Sequence, residues 1–139
     1  MDEKQYLILL VENNSGVLAR ITTLFCQRGF NIDSLNVSTT DNPKISRITI
    51  VTHGDDRKFR QIIRQTEKLI EVLAVHREDL SDTIQRELLL VKVATNGKDR
   101  SQLLEICQIY KGAVVDLTKD SLIIELSGKP ARSMLSLKF

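Results

Sequence analysis

The 139-residue sequence predicts an α+β protein: a βαββαβ unit, followed by a second copy of the same order that stops one strand short. Three observations carry this. Short strand-like apolar runs alternate with helical stripes of period 3.6. Turn-forming residues fall between them. After a polar break at residues 78–85 the order begins again.

Residues 6–11 are a continuous apolar run ending at Glu12-Asn13-Asn14-Ser15-Gly16, which predicts a buried strand stopping at a polar turn. Val17, Leu18, Ile21, Leu24 and Phe25 then mark one face of a helix. Ser15 is placed to cap its start and Gly29 to follow its last turn. Ile32, Leu35, Val37 and Thr39 belong to a second strand, Asp41-Asn42-Pro43 to a turn, and Ile45, Ile48 and Ile50 to a third strand, making a hairpin. Gly54-Asp55-Asp56 opens a second helix with the stripe Phe59, Ile62, Ile63, Thr66, Leu69 and Ile70; residues 72–75 close the unit as a strand. This is the split-βαβ, ferredoxin-like order, in which four antiparallel strands carry two helices on one face.

The second copy has strands at 88–93, 113–117 and 122–126, with a helix at 101–110 that places Leu103, Leu104, Ile106, Cys107 and Tyr110 inward. Pro130 suits the first turn of a further helix carrying Ala131, Met134 and Leu135. The expected division is residues 1–79, a linker at 80–84, and residues 85–139. The last strand of the second unit is missing, so either the chain is truncated or another chain supplies that edge.

Composition excludes several function classes. A net charge of +2 is too small for a nucleic-acid footprint or a polybasic membrane patch. Aromatics are 4%, with no Trp, so stacking platforms for bases are scarce. The apolar runs are too short to span a bilayer. Asp2 and Glu3 stand where a signal peptide would be positive. Cys26 and Cys107 form no CxxC pair, which predicts buried, reduced thiols in a cytoplasmic protein. His53 and His76 have no ligand-spaced companions for a metal. No GxSxG, HExxH or GxxxxGK[ST] motif occurs, and no catalytic residue is expected. Asp55-Asp56 favours the dipole at a helix start rather than acid–base work. The basic helix (Arg57, Lys58, Arg60, Arg64, Lys68) is expected to be a solvated face, with docking of an acidic partner as the alternative. An acylphosphatase-like hydrolase would need a Gly-rich phosphate loop with a placed Arg. An RNA-binding module would need aromatics on its central strands. A transcriptional sensor would need a DNA-reading helix. None of these is present.

The unusual constellation is Asn13-Asn14-Ser15-Gly16-Val17-Leu18. A helix N-terminus carries free N–H groups and partial positive charge, so it can hold a carboxylate without Arg or Lys. Gly16 has no Cβ and lets backbone approach a ligand. Asn13 and Asn14 can accept from an ammonium group and donate to a carboxylate, and Val17 and Leu18 offer apolar contacts. The same residues are also good turn and cap formers that need no ligand.

Downstream stand Gln27-Arg28-Gly29-Phe30-Asn31-Ile32-Asp33-Ser34-Leu35 and Ser46-Arg47-Ile48-Thr49-Ile50-Val51-Thr52-His53-Gly54-Asp55. Together with the loop, these segments resemble the small regulatory subunits of acetolactate (acetohydroxyacid) synthase, a family whose N-terminal domain is an ACT domain. "RELLLVKV" and "VVDLTKDSLIIELSGKP" resemble that family's second domain. The resemblance implies a non-catalytic regulator that dimerises through its ACT domains, joining two sheets into one. It implies a branched-chain amino acid, usually valine, bound at the dimer interface as feedback inhibitor. The matching positions are Asn13, Gly16 and Asn31, with Asn14, Ser15, Val17, Leu18 and Ile32 as neighbouring contacts. It further implies a catalytic large subunit as partner, which would hold thiamine diphosphate, FAD and Mg²⁺; no cofactor is expected in this chain. The other reading is a stand-alone amino-acid-sensing ACT protein acting on another partner. The family's second domain ends with a longer helix and a last strand, whereas this sequence stops at Ser136-Leu137-Lys138-Phe139.

Overall fold

In the computed structural model, residues 3–79 and 81–129 are described. The chain divides into two compact units, Met1–Thr83 and Ile84–Phe139. The predicted helix around Pro130, Ala131, Met134 and Leu135 lies outside the described residues.

The first unit runs β1 (Glu3–Glu12), α1 (Val17–Gln27), β2 (Ile32–Thr39), β3 (Ile45–Gly54), α2 (Asp56–Thr66) and β4 (Val72–Arg77). Its antiparallel sheet has the order β2-β3-β1-β4. Side chains alternate across a strand. Leu7, Leu9 and Val11 of β1 and Ile48 and Ile50 of β3 therefore share one face, where they pack with Val17, Ile21 and Phe25 of α1 and Phe59 and Ile62 of α2. Phe30 meets both Phe25 and Phe59 edge-on, at 6.1 and 6.2 Å between ring centroids.

The helix ends follow local chemistry, with one correction. Gly29 has φ 75°, and its N–H donates to Cys26 O while Phe30 N–H donates to Phe25 O. This is the paired C-terminal closure a left-handed glycine permits, with Phe30 packed back on Phe25. At the start of α1 the capping position is Gly16, not Ser15; its φ is 86° and no side chain caps the helix. The chain enters α1 through a left-handed residue, which Gly adopts freely and Ser does not. In contrast, Asp55 caps α2 by accepting from Arg57 N–H at 2.9 Å.

Other expectations change with packing. Leu18, read as part of the inward stripe, is 39% exposed. Ile70 lies beyond the end of α2 and is 90% exposed. Cys26 is exposed and only Cys107 is buried.

The second unit runs β5 (Glu87–Ala94), α3 (Arg100–Ile109), β6 (Ala113–Leu117) and β7 (Ser121–Gly128), with the sheet order β5-β7-β6. Leu122, Ile124 and Leu126 pack with Cys107, flanked by Leu89, Val93 and Leu103. Leu104, Ile106 and Tyr110, expected inward, are exposed. Among the described residues one helix covers three strands here, and buries a narrower stripe than two helices over four. Among the described residues, no helix is long and apolar enough to cross a membrane.

Candidate functional site: the loop entering α1 and the start of β2

The β1–α1 loop is anchored to the β2–β3 hairpin turn. Asn13 N–H donates to Lys44 O at 2.8 Å, and Asn13 Nδ2 donates to Pro43 O at 2.9 Å. With Nδ2 engaged, the amide oxygen of Asn13 is the atom left to accept. Asn14 Nδ2 donates to Glu12 Oε2 at 2.8 Å, which folds its side chain back on the strand end. Ser15 and Gly16 are exposed, and a Cβ added at Gly16 would meet nothing within 4 Å. Val17 is buried at 3% exposure, so it serves the core rather than the surface; Leu18 lies open beside it.

The start of α1 carries no side-chain cap and no acidic residue in its first turn. The N–H groups of residues 17–19 precede the first intrahelical bond, Arg20 N–H to Gly16 O at 3.1 Å. They face the loop opening as donors with partial positive charge. Donors so arranged are able to hold a small carboxylate.

Asn31 and Ile32 lie elsewhere. Ile32 pairs with Thr52 on β3, and Thr52 pairs with Gln5 on β1. The Asn13 loop follows Glu12, seven residues further along β1. At the rise of an extended strand the two parts of the site are roughly 24 Å apart in one chain. The loop residues Asn13–Leu18 thus stand together, and Asn31 and Ile32 stand together, at opposite ends of one sheet. Asn31 is exposed, and its Nδ2 donates to Asp33 Oδ1 at 3.2 Å. Its carbonyl oxygen accepts from Thr52 Oγ1.

One contact was not foreseen from the sequence: Asp33 Oδ2 pairs with His53 Nδ1. These residues are twenty apart, and only the β2–β3 register brings them together. Among the described residues there is no cluster of His, Cys, Asp or Glu able to hold a metal ion. At the start of α2, Asp56 accepts from Arg77 of β4 and from Arg60, at 2.5 Å each, and its carboxyl is held below the usual range chiefly by the Arg77 hydrogen bond.

Comparison with known proteins agrees with this architecture in both units. Residues 7–74 match a family model described as the AHAS small subunit-like ACT domain, and residues 86–135 match one for the small subunit of acetolactate synthase. A probable acetolactate synthase small subunit of Archaeoglobus fulgidus is 44% identical over 90% of this chain and 78% of its own. The acetolactate synthase isozyme 3 small subunit of Escherichia coli is 39% identical over 90% of this chain and 77% of its own. The crystal structure of an acetolactate synthase small subunit from Thermotoga maritima superposes with a TM-score of 0.83 at 34% identity, covering 91% of this chain and 79% of that one. The chain belongs to the acetolactate synthase small-subunit family, with an ACT domain as its first unit.

Proposed function

We propose that this chain is a non-catalytic regulator that binds a branched-chain amino acid, valine, between two copies of its ACT domain. In this reading it conveys activation and feedback inhibition to the catalytic large subunit of acetolactate synthase, in the cytoplasm. The chain holds no cofactor; thiamine diphosphate, FAD and Mg²⁺ belong to the large subunit.

The observation that carries the reading is the uncapped start of α1, entered through left-handed Gly16 and flanked by an Asn13 whose side-chain NH₂ is turned to the Pro43 carbonyl. A carboxylate would take the N–H groups of residues 17–19 in place of water. An ammonium group would take amide oxygens. The separation of the two half-sites supports a two-chain pocket. β2 is an edge strand with Leu35 and Val37 exposed at 37% and 43%. If β2 pairs antiparallel with its own copy about an axis between Leu35 and Asn36, Ile32 of one copy falls opposite Thr39 of the other. Thr39 pairs with Ser46 at the end of the sheet where the Asn13 loop leans on the hairpin turn. One such axis brings Asn31 of each copy to the Asn13–Leu18 loop of the other and lines up both exposed apolar edges.

The test is co-purification of the full chain with an acetolactate synthase large subunit, with synthase activity measured with and without valine. A complex whose activity rises on assembly and falls with valine is expected. Absence of a complex, or a complex indifferent to valine, overturns the reading.

A further inference from the structure

β2 breaks its ladder next to Asn31. Ile32 pairs with Thr52 and Ser34 with Val51, so Asp33 is the extra residue of a bulge. A bulge turns a side chain away from the direction the pleat would give it. Here the turned side chain bridges two groups. Its Oδ2 meets Nδ1 of His53 on the neighbouring strand, and its Oδ1 accepts from Asn31 Nδ2 at 3.2 Å. The clamp has a chemical consequence for Asn31. A free amide can rotate and present either its NH₂ or its oxygen. With one Nδ2 hydrogen on the Asp33 carboxylate the NH₂ end is fixed towards Asp33, and the oxygen is the acceptor presented to a ligand. An ammonium group is a donor only and requires that oxygen.

We propose that Asp33, held by His53, is a positioning residue that aims the Asn31 amide oxygen at the ammonium group of the effector. This rests on the amino-acid site proposed above. The bulge gives Asp33 its direction, the sheet gives His53 its place, and the amide is thereby oriented before the ligand arrives. Preorganisation of this kind avoids part of the ordering cost of binding.

Valine dissociation constants measured by calorimetry on the full 139-residue chain test both levels. Asp33→Ala removes the acceptor and should weaken valine binding about tenfold, as expected for loss of one hydrogen bond to a charged group. Asp33→Asn keeps an acceptor oxygen for Asn31 Nδ2 and should recover affinity to within about threefold of the parent chain, which a purely structural role for the residue would not require. Wild-type affinity in Asp33→Ala, or equal losses in Asp33→Ala and Asp33→Asn, overturns the positioning role. Asn31→Ala separates this from the site itself. If it weakens binding while Asp33→Ala does not, only the positioning role fails. If Asn31→Ala binds valine as the parent does, the site reading fails as well.

Discussion

Gly16 is where one substitution separates charge from backbone strain. Its φ is 86°, and a Cβ placed there meets no heavy atom within 4 Å. Gly16→Ala therefore costs only the left-handed backbone of a non-glycine residue, about 1 kcal/mol, with no steric clash. Gly16→Asp carries the same backbone cost and adds a carboxylate where the effector's carboxylate would sit on the N–H groups of residues 17–19. Two unit charges about 4 Å apart at an effective dielectric of about 20 repel by about 4 kcal/mol. That corresponds to about three decades in affinity. The assay is valine titration of synthase activity in complexes reconstituted with a large subunit. Gly16→Ala should shift the inhibitory concentration by no more than a few-fold. Gly16→Asp should abolish inhibition while activation on assembly persists. Unchanged valine inhibition of the Gly16→Asp complex refutes the reasoning. Equal loss in Gly16→Ala and Gly16→Asp refutes the charge argument and leaves only a backbone effect.

Val37→Asp places a charge on the exposed β2 edge beside the proposed axis, and should convert the proposed dimer to monomer in sedimentation analysis and remove the valine response at concentrations that inhibit the parent complex. A stable dimer with normal response would exclude β2 as the seam. Asp56 is held in its charged form by the Arg77 hydrogen bond, so its folded pKa lies below its unfolded one. Its contribution to stability is present above the unfolded value and is lost as pH falls through the folded one. Denaturant unfolding should therefore find Asp56→Asn less stable than the parent at neutral pH, with the gap closing below about pH 4. A Cβ on Gly112 would stand 2.6 Å from Leu126 Cδ2 and 3.2 Å from the backbone oxygen of Glu125. Gly112→Ala should cost the second unit about 1–3 kcal/mol through overpacking. Hydrogen exchange at the amides of Leu122, Ile124 and Leu126 should speed up, while Leu7 and Leu9 in the first unit stay protected.

The sequence carries local information, and the strands, helices and turns were readable where local chemistry decides. Ile45, Ile48 and Ile50, read as one strand, lie together on β3, with Ile48 and Ile50 buried. Asp41-Asn42-Pro43 announced a hairpin, and in the structure Asn42 Oδ1 accepts from Lys44 N–H at 3.0 Å across that turn. What was not legible depends on partners distant in sequence. Ser15 looked like the cap because capping preferences are local, but the chain's approach from β1 requires the left-handed residue that only Gly16 supplies cheaply. Cys26 was expected buried on cysteine chemistry, although the 3.6-residue stripe through Phe25 leaves it off the inward face of α1, and it is exposed. The inward stripe read onto α3 was too wide because the sheet beneath has three strands among the described residues. The Asp33–His53 pair needs the hairpin register and a bulge, neither of which leaves a mark in composition. In the candidate site, the donors at the start of α1 were readable from Asn13–Leu18. The distance from there to Asn31 was not, and in the proposed reading that distance makes the loop one half of a two-chain pocket.

That separation also bears on how a small effector could act on a large partner. A ligand seated wholly within one ACT domain would stabilise that domain but leave the arrangement of two copies unbiased. A ligand whose carboxylate is held by one copy and whose ammonium is held by the other binds only when the two edges are in register. At an effector concentration about a hundred times its dissociation constant, it would favour that arrangement by about 2.7 kcal/mol. This is about a hundredfold bias, within the range of ordinary allosteric coupling. The large subunit needs only a different affinity for the two arrangements to be switched. On this basis a substitution at the β2 seam and one at Gly16 should affect feedback differently. Val37→Asp abolishes the pocket by separating the copies, so high valine concentrations should restore both dimer and inhibition in part. Gly16→Asp leaves the copies paired but blocks the carboxylate, so added valine should restore little. If valine rescues the two variants equally, the effector does not act by bridging copies.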